Sequence, residues 1–269
     1  MTSLPQSRLQ SRLVKIGNGR PDVRVYEGGE GPELLFLHGA GGVMKNDAFL
    51  TALCAKFRVS APLLPGFEDS EGGDELRDML DFSLHCFDVW DALGLARPLL
   101  VGHSMGGMIA AEMADIAPNE VDRLALICPA GIWVDELPIP DLFAALPYEL
   151  PALLFHDPQK HAALLSAGGD LNDPEFLTQF IVENSRRLTT AGKILFPIPD
   201  RGLSERLYRV KARTQLIWGT SDKLIPHGYA QQFARRLQVA ETVSIAEAGH
   251  MVPYEQTEQV VAAISRLHN

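Results

Sequence analysis

Apolar residues along this chain fall into short unbroken runs that alternate with stretches of helical spacing. The run at 33–37, Glu-Leu-Leu-Phe-Leu, stops abruptly at His38-Gly39-Ala40-Gly41-Gly42, which predicts a strand covered on both faces with a loop at its carboxyl end. Similar runs at 58–61, 98–101, 124–127 and 215–218 predict further strands, and 242–245 a final one. Apolar positions spaced for one helical face predict helices over 48–57, 79–93, 104–117, 229–237 and 255–267. Strands alternating with helices build a mostly parallel sheet covered on both sides. Ahead of it, 12–16 and 23–26 predict two short strands joined through the turn cluster Gly17-Asn18-Gly19.

The alternation stops between about 133 and 207. No strand signal appears there, and 8 of the chain's 18 prolines fall between residues 134 and 200, so only short helices and turns are predicted, such as 141–146 and 174–188. The stretch also carries Trp133, Leu137, Ile139, Phe143, Phe155, Phe176 and Phe180, too many large apolar side chains to leave in water, so it should pack as a lid. The expected organisation is a core at 1–132, a helical cap at 133–207 and the rest of the core at 208–269.

Composition narrows the partners. With 269 residues, 46% of them hydrophobic, the chain can bury a core without disulfides or metals. Its formal charge of −10 gives no basic footprint for nucleic acid or an anionic membrane. The three cysteines lack zinc-type spacing, which fits free thiols in a reducing compartment. Residues 1–12 are polar and lack the apolar core of a signal peptide, and no apolar run approaches the ~18 residues of a membrane span, so neither is expected. A cytoplasmic protein with a small-molecule partner is expected, without cofactor or metal; oligomeric state is left open.

The chemistry concentrates in three places. Gly102-His103-Ser104-Met105-Gly106 matches G-x-S-x-G directly after a predicted strand and before a predicted helix, where a serine on a tight strand-to-helix turn projects its hydroxyl from the sheet edge. A serine hydroxyl needs a base, and of eight histidines His250 is best placed, in the loop between the last strand and the C-terminal helix. The base needs an acid to fix its tautomer; Asp222, in Gly219-Thr220-Ser221-Asp222 after a strand, completes the order Ser, Asp, His, with Asp135 the alternative. Oxyanion donors are expected from the backbone N–H groups of Met105 and, in the 39–42 loop, Ala40. His38 and His103 flank these elements and are expected to brace loops. A dinucleotide fingerprint fails because Met44 stands where glycine is required.

These motifs, with Pro65-Gly66 and Gly249-His250, resemble the α/β-hydrolase superfamily from about residue 23 to 267. The resemblance implies an α/β-hydrolase fold, a catalytic triad, and a helical cap that lines the substrate pocket. Leu63 and Glu68 depart from the usual Asp-x-Pro-Gly-x-Gly-x-Ser pattern. Within the superfamily the chain looks most like small carboxylesterases, enol-lactonases and C–C bond hydrolases. The leading expectation is hydrolysis of a moderately hydrophobic ester through an acyl-enzyme on Ser104. The alternatives are C–C bond cleavage, for which Arg186 and Arg187 are candidates to hold a substrate carboxylate although paired arginines on a helix usually form a solvated face, enol-lactone cleavage, and a slow-turnover ligand receptor that keeps the triad. Gly39, Trp133, Phe143, Phe180, Arg186 and Met251 are the candidate substrate contacts.

Overall fold

The computed structural model describes residues 9–268, apart from 18, 45, 69, 167, 168, 171 and 197–201. Its first half runs β1 (Gln10–Val14), β2 (Val23–Gly28), β3 (Glu33–Leu37), α1 (Ala48–Leu53), β4 (Arg58–Pro62), α2 (Met79–Ala92), β5 (Leu99–His103), α3 (Met105–Ile116) and β6 (Arg123–Ile127). Between β6 and β7 (Arg213–Gly219) lie α4 (Leu150–Leu154), α5 (Pro158–His161), α6 (Pro174–Leu195) and α7 (Leu203–Arg206). The chain ends with α8 (Gly228–Ala234), β8 (Ala240–Ile245), α9 (Val252–Glu255) and α10 (Thr257–His268).

The eight strands form one sheet in the order β1-β2-β4-β3-β5-β6-β7-β8. β1 and β2 pair antiparallel, as does β2 with β4, and every other pairing is parallel. Each unbroken apolar run has become an inner strand: Leu34 through Leu37, all of β5 and most of β6 are buried. The register places Leu37 beside Gly102, His103 beside Ile127, and Ile127 beside Ile217. The loops that follow β3, β5, β6 and β7 therefore emerge together along one sheet edge, where parallel α/β sheets bind ligands.

α3 starts at that edge and is buried along nearly its whole length. It nevertheless carries two acids, Glu112 and Asp115, which meet Arg206 of α7 at 2.5 and 3.3 Å. Burial pushes the Glu112 carboxyl up to about 7, and the single guanidinium satisfies the pair. The bridge fixes α7 against the helix that begins directly after Ser104.

Several predicted elements shift. β1 begins two residues early and ends at Val14, where Val14 pairs with Val23; Asn18 of the expected turn lies outside the described residues. After Leu53 the chain tightens into turns that run to Phe57 instead of continuing α1. The C-terminal helix is split at Gln256 into α9 and α10. At 141–146 there is no helix: the Asp141 carboxylate accepts the N–H of Phe143 at 2.9 Å, a side-chain turn that competes with helix formation, and Pro147 disfavours helical backbone just before it. α6, by contrast, runs seven residues past the predicted end, because Thr190, Ala191 and Ile194 continue its buried face. Leu137, Ile139, Leu142 and Phe143 pack against the main core. Among the described residues no helix is long and apolar enough to cross a membrane.

Candidate active site

Ser104 sits between the last residue of β5 and the first of α3 with φ 54° and ψ −115°, a conformation that costs on the order of 1–3 kcal/mol for a non-glycine residue. The surroundings hold it there. Its N–H donates to the Ile127 carbonyl at 2.9 Å, and its own carbonyl accepts from Ala130 at 3.1 Å and Met108 at 3.1 Å. A Cβ on Gly102 would fall on the Gly106 carbonyl, and one on Gly106 on the Leu37 carbonyl. The two glycines of the motif are thus required by close backbone approach, and they let α3 start hard against the sheet.

The loops after β7 and β8 bring the other two residues to this point. A Cβ on Gly219 would strike the carbonyls of Ala248 and Gly249, so these loops lie in direct contact. His250 Nε2 is 2.8 Å from Ser104 Oγ, and His250 Nδ1 is 2.9 Å from Asp222 Oδ2. With its proton on Nδ1 the imidazole donates to the carboxylate and accepts the serine O–H at Nε2, the arrangement in which a serine is deprotonated as it attacks. The other carboxylate oxygen, Asp222 Oδ1, accepts the N–H groups of Leu224 at 2.9 Å and Ile225 at 2.8 Å. All three residues are buried. Asp135, the alternative acid, is exposed and takes the indole N–H of Trp133 at 2.8 Å.

His103 and His38 hold the surrounding loops. His103 lies 2.9 Å from the His250 carbonyl through Nε2, and burial lowers it to about 3, so a neutral ring donates to the backbone of the neighbouring histidine. His38 accepts the Leu64 N–H at Nε2 (3.0 Å), leaving Nδ1–H to donate to the Gly39 carbonyl at 2.7 Å; burial lowers it to about 4. These bonds fix the 38–42 loop beside Ser104, where a Cβ on Gly39 would come 3.3 Å from the serine Cβ. Ala40 lies in the turn closed by the Gly42 N–H on the Gly39 carbonyl at 3.1 Å. Met105 is the first residue of α3, where an amide has no carbonyl one turn back and the helix dipole favours negative charge.

Sequence reasoning missed a second support. The buried Asp47 carboxylate caps α1 through Leu50 N–H at 2.8 Å, takes Met44 N–H at 3.3 Å, and accepts the Tyr254 hydroxyl at 2.9 Å. It thereby ties the end of the glycine loop to the helix that follows His250. An Asp directly before an apolar helical run signals the cap, but nothing local to Tyr254 signals its partner.

Ser104 opens onto a cleft enclosing about 580 Å³ of empty space, part of it open to solvent. Met108, Ile132, Leu224 and Ile225 line it from the core, and Ile139, Leu142, Phe143, Ile194 and Leu195 from the β6–β7 segment. Among the described residues, Ser104 supplies the only polar side chain of the lining. Leu224 and Ile225 do double duty, holding Asp222 through their amides while their side chains face the cleft.

Of the candidate substrate contacts, Phe143 lines this cleft and Gly39 abuts the serine. The others do not line it. Trp133 turns to Asp135; Phe180 stacks on Phe176 at 6.2 Å, one helical turn back; Met251 donates its N–H to the Leu154 carbonyl at 3.0 Å. Arg186 points outward, whereas Arg187, 100° further round α6, reaches Glu68 at 3.4 Å. Helical rotation separates the paired arginines in a way the letters alone do not.

Among the described residues, one set of metal-ligand atom types gathers, those of Cys128, Asp222 and His250, within 4.8 Å of one another. Burial holds the Cys128 thiol well above its ordinary range, and Asp222 and His250 are engaged with each other. The set has the chemistry of a hydrogen-bonded cluster and does not fit a resident metal.

Comparison with known proteins identifies the family and the fold. The chain is 30% identical over 247 residues to the dihydrolipoyllysine-residue acetyltransferase component of the acetoin cleaving system of Pseudomonas putida, which covers 87% of this chain and 62% of that protein; it thus spans less than two thirds of that relative's length. It is 25% identical to a 2-hydroxy-6-oxo-6-phenylhexa-2,4-dienoate hydrolase of Burkholderia cepacia, over 96% of each chain. Its backbone matches the crystal structure of a membrane phospholipase A with a TM-score of 0.80 at 25% identity, covering 97% of this chain and 87% of that one. A family model described as the alpha/beta hydrolase family matches residues 34–263, and the chain belongs to that family and has its fold.

Proposed function

We propose that this hydrolase cleaves carboxylic esters with an apolar acyl or alcohol group through an acyl-enzyme on Ser104. The observation that carries the reading is the His250–Ser104 contact at 2.8 Å opening onto a cleft in which, among the described residues, that serine is the only polar side chain. Ser104 attacks the ester carbonyl as His250 takes its proton, and Asp222 stabilises the imidazolium that forms. The N–H groups of Ala40 and Met105 receive the oxyanion. His250 then protonates the departing alkoxide and next activates the water that releases the acid. Residues 133–207 act as the cap and set substrate range. Three free buried cysteines fit a reducing compartment such as the cytoplasm.

A second reading, C–C bond hydrolysis, draws support from the dienoate hydrolase relative and from Arg187 near the glycine loop, its Nε 3.9 Å from a Cβ on Gly42. The apolar lining disfavours it, since a substrate carboxylate left unpaired in such a cleft is costly. A panel of chromogenic esters of increasing acyl length beside a vinylogous diketone acid separates the two. The ester reading expects turnover of esters with an optimum above acetate and negligible cleavage of the diketone acid; the reverse ranking overturns it, and failure on all of them favours a receptor. In the same panel Phe143→Ala is expected to shift the optimum chain length, because it removes a wall of the cleft, while Phe180→Ala leaves the ranking unchanged.

A further inference from the structure

One short stretch of the cap, residues 154–157, touches residues adjacent to both triad partners of Ser104. The Leu154 carbonyl accepts the N–H of Met251, next after His250, at 3.0 Å. His156 Nδ1 lies 2.8 Å from the hydroxyl of Ser221, next before Asp222. Glu255, in α9, joins the two sides through one carboxylate. Its Oε2 accepts the N–H of Gly249 at 2.6 Å, while Oε1 accepts the N–H groups of His156 at 2.9 Å and Asp157 at 3.3 Å. The fit allows no slack: a Cβ on Gly249 would come 2.6 Å from the Leu154 carbonyl oxygen and 2.9 Å from the His156 nitrogen. Between them Phe155 is fully buried and stacks on His161 at 5.8 Å, which anchors the stretch within the cap.

We infer that Glu255 is a positioning residue that couples the cap to the catalytic histidine, an inference that rests on the triad reading above. The carboxylate does not touch substrate. It clamps the residue before His250 to cap backbone, while the Leu154 carbonyl clamps the residue after it, so the height of the imidazole over Ser104 depends on where the cap sits. The cap accordingly reaches the chemistry as well as the substrate range. Glutamate suits the task because each of its two oxygens accepts from a different side; glutamine offers one acceptor oxygen, and alanine none.

The test compares wild type, Glu255→Gln and Glu255→Ala on a short acetate ester, with the rate of inactivation by a fluorophosphonate and amide hydrogen exchange on each. A misplacement of the base by about 1 Å costs about 10²-fold, so Glu255→Ala is expected to lose about that much in both kcat and inactivation rate, with KM for the small ester little changed. Glu255→Gln is expected to lie between it and wild type, and it carries the test if the alanine variant does not fold. Exchange at 156–157 and at 249 should quicken together. A variant that melts earlier but keeps wild-type kcat and inactivation rate overturns the proposal, as does faster exchange on one side only. Absence of phosphonate labelling at Ser104 in the wild type would instead overturn the triad reading, and the coupling with it.

Discussion

Ser104→Ala is expected to reduce ester turnover by about 10⁶-fold, the loss seen when the nucleophile is removed from a complete triad. The change deletes one oxygen and leaves the elbow's backbone bonds to Ile127, Ala130 and Met108 in place, so the fold and the cleft persist. Binding and the proposed oxyanion donors remain as well, which leaves a residual rate about 10³–10⁴ above that in water. The check is kcat on one chromogenic ester, with circular dichroism and the thermal midpoint confirming that the variant is folded. Hydrolysis near the wild-type rate in that protein would remove Ser104 from the chemistry.

Asp222→Asn is expected to cost about 10⁴-fold in turnover near neutral pH, by analogy with the same change in other triads. The direction follows from which oxygen does what. Oδ1 is held by two amides, from Leu224 and Ile225, and only a carbonyl oxygen can satisfy both. The amide nitrogen of the variant must therefore take the position of Oδ2, facing His250 Nδ1. A donor there favours the tautomer with the proton on Nε2, which cannot accept from Ser104. Asp135→Asn, at an exposed residue bound to the Trp133 indole, should leave turnover nearly unchanged. Measuring both variants on one ester decides the assignment: a crippled Asp135→Asn beside a near-normal Asp222→Asn would move the acid.

The parts legible in the sequence are those set by local rules. Buried parallel strands announce themselves as unbroken apolar runs, and the motif around Ser104 pairs a strand end with glycines that the close approach to Leu37 and Gly106 requires. Chain order then points to Asp222 and His250, because loops at the carboxyl ends of parallel strands share one edge. The residues that line the cleft were harder to read. Phe143 and Phe180 have the same apolar character, yet Phe180 satisfies itself against Phe176 on its own helix, a choice made by tertiary packing. Arg186 and Arg187 differ only in helical phase, and the sequence does not announce which face of α6 meets the core. The supports around His250 were the least visible. Tyr254 and Glu255 are ordinary helical residues until Asp47 and the 154–157 backbone, far away in sequence, are brought against them.

The most direct test of the account is covalent. A fluorophosphonate reacts quickly only with a serine whose proton a neighbouring base removes, and tandem mass spectrometry of the digested adduct locates it. The expected result is one adduct per chain, on Ser104, accumulating in step with loss of esterase activity and strongly slowed in Asp222→Asn. Stoichiometric labelling of a different serine with activity lost in parallel, or full inactivation with Ser104 unmodified, would contradict it.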